Sequence, residues 1–141
     1  MKWPIIFLTM LFPAISGCSV TKNTADTKNM IITSATYDRW SEPPPAGSDI
    51  PERGVDLTLT IQNWPQGYQP SHIIYHNLKS YNASIADSSA NRVIIEARII
   101  RASSVMTETA SRVEQSDRLV FNDPDGAEGF IEIHNWQRAE R

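Results

Sequence analysis

The chain has 141 residues, of which 40% are hydrophobic and 21% charged, and its formal net charge is −3 at pH 7. This length fits one domain with a single packed core. Because the 13 Lys and Arg residues form no cluster and are outnumbered by 16 Asp and Glu residues, the composition argues against nucleic acid as a partner and against a basic membrane-surface patch.

The first 17 residues have the layout of a secretory signal peptide. Lys2 gives a positive start, residues 3–12 are apolar except for one threonine, and mainly small residues lead up to Gly17. The apolar run is too short to cross a bilayer, which takes about 20 residues. Residues 15–18, Ile-Ser-Gly-Cys, resemble the lipobox of bacterial lipoproteins. The resemblance implies cleavage between Gly17 and Cys18.

Cys18 is the only cysteine of the chain, so it has no disulfide partner within it. The resemblance implies a diacylglyceryl group on its thiol and a mature protein that begins at Cys18. Two or three acyl chains make a lasting anchor, because each buried methylene contributes ~0.8 kcal/mol. The alternative is an uncleaved signal or a buried free cysteine. In the lipoproteins that this segment resembles, aspartate directly after the cysteine favours retention in the inner membrane. This chain has Ser19 at that position, so the resemblance favours the periplasmic face of an outer membrane.

The remainder of the chain divides into a tether and a β-rich domain. Residues 18–28 are predicted to form a flexible tether, because after the cysteine they carry only one aliphatic side chain larger than alanine. Residues 29–141 are expected to fold as a monomer. In residues 55–61 every odd position is aliphatic and every even position polar, which predicts a strand with one buried face. Further strands are predicted at residues 30–37, 72–79, 92–101, 118–122 and 129–137.

Two segments leave helix and strand open. Residues 92–101 carry apolar side chains at alternate positions and favour a strand, although their length also admits a helix. Residues 103–115 have apolar side chains at helical spacing behind a possible cap at Ser104, whereas their Thr and Val content favours an extended strand.

Two connections have clear turn chemistry. Residues 122–126, Asn-Asp-Pro-Asp-Gly, are predicted to close a hairpin, and a plain turn explains their acidic residues better than a calcium loop. Residues 41–53 are predicted to form a long, stiff, exposed loop, because proline cannot donate to a β-ladder. Binding residues concentrate on such loops. This loop, with Pro43, Pro44, Pro45 and Arg53, is therefore the first candidate for contact with a partner.

Aromatic side chains near the predicted loops extend this candidate surface. Trp40 precedes the proline-rich segment, and Trp64 and Tyr68 flank a second turn. Such rings stack on sugars or form hot spots for a protein partner. The competing interpretation is that they close the ends of a sandwich core.

No motif for catalysis, metal or cofactor binding is evident. The chain lacks a Gly-x-Ser-x-Gly elbow, a His-Glu-x-x-His motif and a phosphate-binding glycine loop. His72 and His76 have the spacing with which a helix chelates a metal, but four residues of a strand span roughly 13 Å. No cofactor, metal or catalytic residue is therefore predicted. Asp49 and Glu52 lie in the exposed loop, without the hydrophobic wall that would raise the pKa of an acid catalyst.

The regular spacing of short strands predicts an all-β, immunoglobulin-like antiparallel sandwich of about seven strands. Residues 35–40, 53–55 and 73–75 also resemble segments of small, uncharacterised secreted or lipoprotein domains of Bacteroidetes-type bacteria, a family that implies no activity.

Two functional hypotheses follow from the sequence. The first is a membrane-tethered, non-catalytic sandwich that binds a protein or glycan of the cell envelope. The alternative is a hydrolase, or an inhibitor of hydrolases, whose site is assembled from scattered residues. A pocket that joins a His to a carboxylate and a Ser would favour the alternative.

Overall fold

Hydrogen-bonded β-strands form the regular structure of residues 27–101 and 115–140, which are the residues that the computed structural model describes. These residues contain nine strands: β1 (Ile31–Glu42), β2 (Glu52–Gln62), β3 (Gln69–Tyr75), β4 (Leu78–Lys79), β5 (Ser84–Ser89), β6 (Arg92–Ile100), β7 (Arg118–Asn122), β8 (Glu128–Glu132) and β9 (Gln137–Arg138). The predicted tether and the open segment at residues 103–115 lie outside the described residues, apart from residues 27, 28 and 115.

The strands form two sheets that pack as a sandwich. One sheet has the order β5-β6-β2-β1-β9 and the other the order β4-β3-β7-β8. If the seven strands of five residues or more are lettered A to G in chain order, the sheets read DEBA and CFG, the arrangement of an immunoglobulin constant-type domain. The predicted all-β, immunoglobulin-like sandwich is confirmed.

The alternating patterns explain the core. In β2 the aliphatic positions Val55, Leu57, Leu59 and Ile61 are all buried, and the polar residues between them face outward. β6 pairs with β2 and behaves in the same way, so the strand predicted at residues 92–101 is confirmed and the helical alternative is wrong. The second sheet closes the core with four buried residues: Ile73, Tyr75, Leu119 and Phe121.

Several predicted boundaries are wrong. β1 continues to Glu42, so the proline-rich connection covers residues 43–51 and not 41–53. The strand expected at residues 72–79 is a tight hairpin, because His76 and Asn77 both have positive φ, as a two-residue type I′ turn requires. The strand expected at residues 129–137 ends at Glu132, and the chain then crosses to the other sheet to pair with β1.

The predicted hairpin between β7 and β8 is confirmed. The two strands pair antiparallel, and the Asp123 carboxylate accepts hydrogen bonds from the backbone N–H groups of Asp125 (2.9 Å) and Ala127 (2.8 Å). Gly126 has φ +83°, which glycine adopts without strain. These contacts explain the acidic residue at position 123 as part of a turn.

Asp117 fastens the C-terminal crossing segment to the sandwich. Its carboxylate accepts a hydrogen bond from Trp136 Nε1 (2.8 Å) and another from the backbone N–H of His76 (2.7 Å). Its backbone oxygen accepts from Ile133 N (2.8 Å), and the Trp136 ring packs edge-on against buried Tyr75 at 5.1 Å. One residue thus joins the β3–β4 turn, the start of β7 and the C-terminal segment.

Candidate functional site

The connection between β1 and β2, residues 43–51 and hereafter the proline loop, projects from one end of the five-stranded sheet. Two local hydrogen bonds order it, from Ser48 N to Pro45 O (3.0 Å) and from Ile50 N to Ser48 Oγ (3.2 Å). Pro43, Pro44 and Pro45 are exposed, and their fixed φ angles limit the freedom of the loop.

Ile50 is the free apolar group of the proline loop. It is 70% exposed, more than any other large apolar side chain in the part of the chain that the structure describes. Single exposed apolar residues are ordinary on protein surfaces. This one is distinguished by its place on a proline-containing loop whose conformation is already restricted, which lowers the entropy lost on binding.

Two glutamates face each other at the base of the proline loop. Glu42 and Glu52 are direct cross-strand partners in the antiparallel pair of β1 and β2. Side chains alternate along a strand, so both lie on the outer face of the sheet, the face that carries Trp40 and Gly54. Like charges directly opposite each other destabilise a sheet.

The outer face next to these glutamates carries an interlocked cluster of four residues, hereafter the Trp40 cluster: Trp40, Gly54, Asp56 and Arg98. Trp40 pairs with Gly54 across β1 and β2, and its Cζ2 and Cε2 atoms lie where a side chain at position 54 would begin. The guanidinium carbon of Arg98 lies over the ring, 4.9 Å from its centroid. Glycine at position 54 therefore lets the indole extend across β2 toward β6.

Asp56 holds Arg98 in this position. Arg98 Nε donates to one carboxylate oxygen at 2.7 Å and Nη2 to the other at 2.9 Å, in a bidentate pair. These hydrogen bonds raise the pKa of Arg98 above its usual range, so the guanidinium stays charged. The result is a fixed cation against one face of the Trp40 ring, worth about 0.5–1 kcal/mol at an exposed site.

The indole of Trp40 is a packed group and not a free stacking platform. Its Nε1 atom is buried without a hydrogen-bond partner in the described part of the chain, and one ring face lies under Arg98. A shallow polar depression of about 450 Å³ continues from this cluster along the same face. Its lining includes the side chains of Asp38, Thr58 and Glu96.

The predicted binding residues do not form one surface. Trp40 and the three prolines lie at the proline-loop end, whereas Trp64 and Tyr68 follow β2 at the opposite end. Gly54 and Gln62, near the two ends of β2, are roughly 26 Å apart at 3.3 Å per residue. The structure thus separates Trp64 and Tyr68 from the proline loop.

Trp64 and Tyr68 close the far end of the core. Their rings lie 5.5 and 5.6 Å from that of buried Phe121, and Trp64 Nε1 donates to the Tyr68 backbone oxygen at 3.2 Å. This is the core-closing interpretation of these aromatics. An open depression of about 610 Å³ is lined in part by Pro65 and Tyr68. The rings of Trp64 and Tyr68 nevertheless pack against the core.

Arg53 belongs to the proline-loop end but not to the outer face. It lies in β2 opposite Ser41, and its backbone oxygen accepts a hydrogen bond from Arg101 N (2.8 Å). Strand alternation puts its side chain on the side of Val55, away from Glu52 and Gly54. Its exposed guanidinium therefore borders the sandwich end and not the Trp40 cluster.

The three histidines lie in separate places. His72 is on the outer face of the four-stranded sheet, where partial burial and the nearby Lys79 lower its pKa; its Nδ1 is 2.9 Å from Ser71 Oγ. His76 is in the β3–β4 turn, and His134 follows β8. Within residues 27–101 and 115–140, no three His, Cys, Asp or Glu side chains converge as metal ligands would.

One surface group contains the residue types of a hydrolase. Ser116 Oγ donates to Glu132 Oε1 at 3.0 Å, and His134 Nε2 lies 3.7 Å from Glu132 Oε2. The carboxylate stands between the hydroxyl and the imidazole, whereas proton removal from a serine needs the imidazole next to the hydroxyl. The His134 side chain is 73% exposed, so nothing there excludes water. Ser34 and His134 both line a surface groove next to this group.

Sequence reasoning missed Gly54, Asp56, Arg98 and Ile50. The first three meet only through the register of β1, β2 and β6, which places Arg98 opposite Asp56 across 42 residues of chain. Ile50 lay within the predicted loop, and its one available signal was an isolated large aliphatic residue among Pro, Gly, Ser and Asp.

Fold and surface together define an immunoglobulin-like β-sandwich domain. The proline loop at one end has an exposed apolar tip and two glutamates at its base. Comparison with protein-family models, with curated proteins and with solved structures finds no match for this chain. The described residues contain no helix with the length and apolar character needed to cross a membrane. The function is therefore inferred from the residues themselves.

Proposed function

We propose that this chain is a lipid-anchored protein of the bacterial cell envelope whose non-catalytic sandwich domain binds a protein or glycan partner. The anchor is the acylated Cys18, exposed after removal of residues 1–17, and the location is the periplasmic face of the outer membrane. The observation that carries the binding role is the 70% exposure of Ile50 on the proline loop.

The proline loop offers a partner an exposed apolar contact and loses little conformational entropy on binding. Full burial of an isoleucine side chain stabilises a complex by roughly 1.5–3 kcal/mol. Restricted φ angles at Pro43, Pro44, Pro45 and Pro51 reduce the conformational entropy that the loop loses on binding. Binding residues concentrate on loops that a rigid scaffold holds in place, and the sandwich holds this loop between its two longest strands.

The lipid anchor makes a direct prediction for Cys18→Ser. We expect this variant to leave the membrane fraction and to lack the mass of a diacylglyceryl group, because no thiol remains to be acylated. Mass spectrometry of the native and variant proteins measures both the acylation and the new N-terminus. A native protein that starts at Met1, or that stays in solution without detergent, would contradict the anchor.

Binding is tested by a pull-down from detergent-solubilised native envelopes with the full lipidated protein. We expect a partner that wild type retains and that Ile50→Ser loses by roughly tenfold or more, since the exposed apolar contact is removed. The matched control is Ile85→Ser, because Ile85 is also exposed (38%) but lies on the edge strand β5. An equal loss of retained partner for the two variants, or no partner retained by wild type, would contradict the proposal.

A further inference from the structure

We infer that the partner of the proline loop is a protein that receives Ile50 in an apolar pocket rimmed by lysine or arginine side chains. This inference rests on the proposed binding function and specifies the chemistry of its partner. The two observations behind it are the exposed aliphatic tip and the acidic base of the same loop, which lie within one continuous segment, residues 42–52.

Within residues 42–52 every charged side chain is acidic. Glu42 and Glu52 oppose each other at the base of the loop, and Asp49 directly precedes Ile50. Arg98, a fixed cation on the same face, is bound in a bidentate pair to Asp56, and the more distant Glu42 adds a smaller contribution to its raised pKa. Arg53 points to the other side of β2.

The opposition of Glu42 and Glu52 is expected to cost stability in the free domain. Directly opposed like charges destabilise an antiparallel pair, and a cation brought by a partner would relieve the repulsion. Residues that serve binding often cost stability in the free protein, because stability and function place different demands on the same site. Electrostatic complementarity of this kind also accelerates association and selects the partner.

A protein fits these observations better than a glycan. Sugars are recognised by stacking on aromatic rings, and residues 43–51 contain none; Trp40, at the base of the loop, has one face covered by Arg98. The exposed apolar groups of the proline loop are all aliphatic: Ile50, Ala46 and the prolines. A polyanionic envelope glycan would in addition be repelled by the three carboxylates. An apolar pocket with a basic rim satisfies both the tip and its base.

The test is photo-crosslinking in native envelopes with the full chain. An aliphatic diazirine amino acid close in size to isoleucine replaces Ile50, so that the apolar tip is kept, and in separate proteins it replaces Phe130, which is 47% exposed on the other sheet, or Asp125 in the far β7–β8 turn. Mass spectrometry identifies the adduct and maps the attached residue. We expect a protein adduct from position 50 alone, attached at an apolar site with Lys or Arg beside it.

Charge variants in the position-50 protein test the acidic base. We expect Glu52→Lys to lower the adduct yield roughly 5–20-fold, whereas the equal charge reversal Glu128→Lys, at an exposed site on β8, leaves it unchanged. Glu52→Gln is expected to lower the yield while raising the melting temperature, because it removes the like-charge pair. That combination separates a binding role from simple loss of fold.

The outcomes separate this inference from the broader proposal. A glycan adduct, no adduct at position 50, or equal effects of Glu52→Lys and Glu128→Lys would overturn the inference. If the adduct forms at position 125 or 130 in place of position 50, the domain still binds an envelope component and only this inference fails. If the pull-down also retains nothing, both fail.

Discussion

Replacement of Phe121 with alanine is expected to lower the free energy of unfolding by about 3–5 kcal/mol. Phe121 is fully buried in β7 and packs against Trp64 and Tyr68, so the variant loses apolar burial and two aromatic contacts and leaves a cavity. Denaturant unfolding measures the loss.

Phe130→Ala is the matched control for this prediction. Phe130 is the same residue type on the neighbouring strand of the same sheet, but it is 47% exposed, and its described ring contact is with Arg118 at 4.8 Å. Its truncation is expected to cost about 1 kcal/mol or less. Similar losses for both variants would mean that Phe121 does not occupy the core in the way the structure places it.

The core of the sandwich could be predicted because its signal is local. In β2 and β6 the apolar side chain recurs at every second residue, and a strand buries one face. The same reasoning fails for β5, residues Ser84–Ser89, whose side chains are all exposed. This strand exists because it pairs with the edge of β6, and pairing with a distant segment leaves no periodicity in its own sequence.

The β3–β4 hairpin was missed for a different reason. Residues 73–75 and Leu78 continue one apolar, β-rich run, so the sequence reads as a single strand. The chain instead reverses at His76 and Asn77, with φ values of 47° and 62°. Asparagine and histidine both tolerate this left-handed region, but the pair lacks the glycine that marks most two-residue hairpin turns, so the signal was weak.

The candidate surface was predictable only in part. Proline content located the loop, since proline is excluded from the middle of a sheet. The sequence could not separate Trp40 from Trp64, because whether an aromatic ring caps a core or lies on an outer face depends on strand register and on which end of the sandwich it occupies. Likewise the opposition of Glu42 to Glu52 appears only once β1 and β2 are aligned.

Gly54→Ala is expected to cost about 3 kcal/mol or more, at the upper end for overpacking. A Cβ atom at position 54 would collide with the backbone oxygen of Ile99 and with Cζ2 of Trp40, and would lie 2.6 Å from Trp40 Cε2. The Ile99 oxygen belongs to the β2–β6 pairing and cannot yield without disturbing the sheet. Denaturant unfolding measures the cost.

Gly54→Ala made in the Trp40→Ala variant shows how much of that cost comes from the collision with the indole. In Trp40→Ala the ring is gone but the Ile99 oxygen stays, so Gly54→Ala should remain destabilising while costing less than in wild type. The expected coupling free energy between positions 40 and 54 is roughly 0.5–3 kcal/mol.

Gly47→Ala in the proline loop is the control: its φ of +91° penalises alanine, but no atom lies within 4 Å of the added Cβ. Because that site is remote from the indole, its cost should be the same with and without Trp40. Independent effects at positions 40 and 54 would show that the glycine is not what seats the indole beside Arg98.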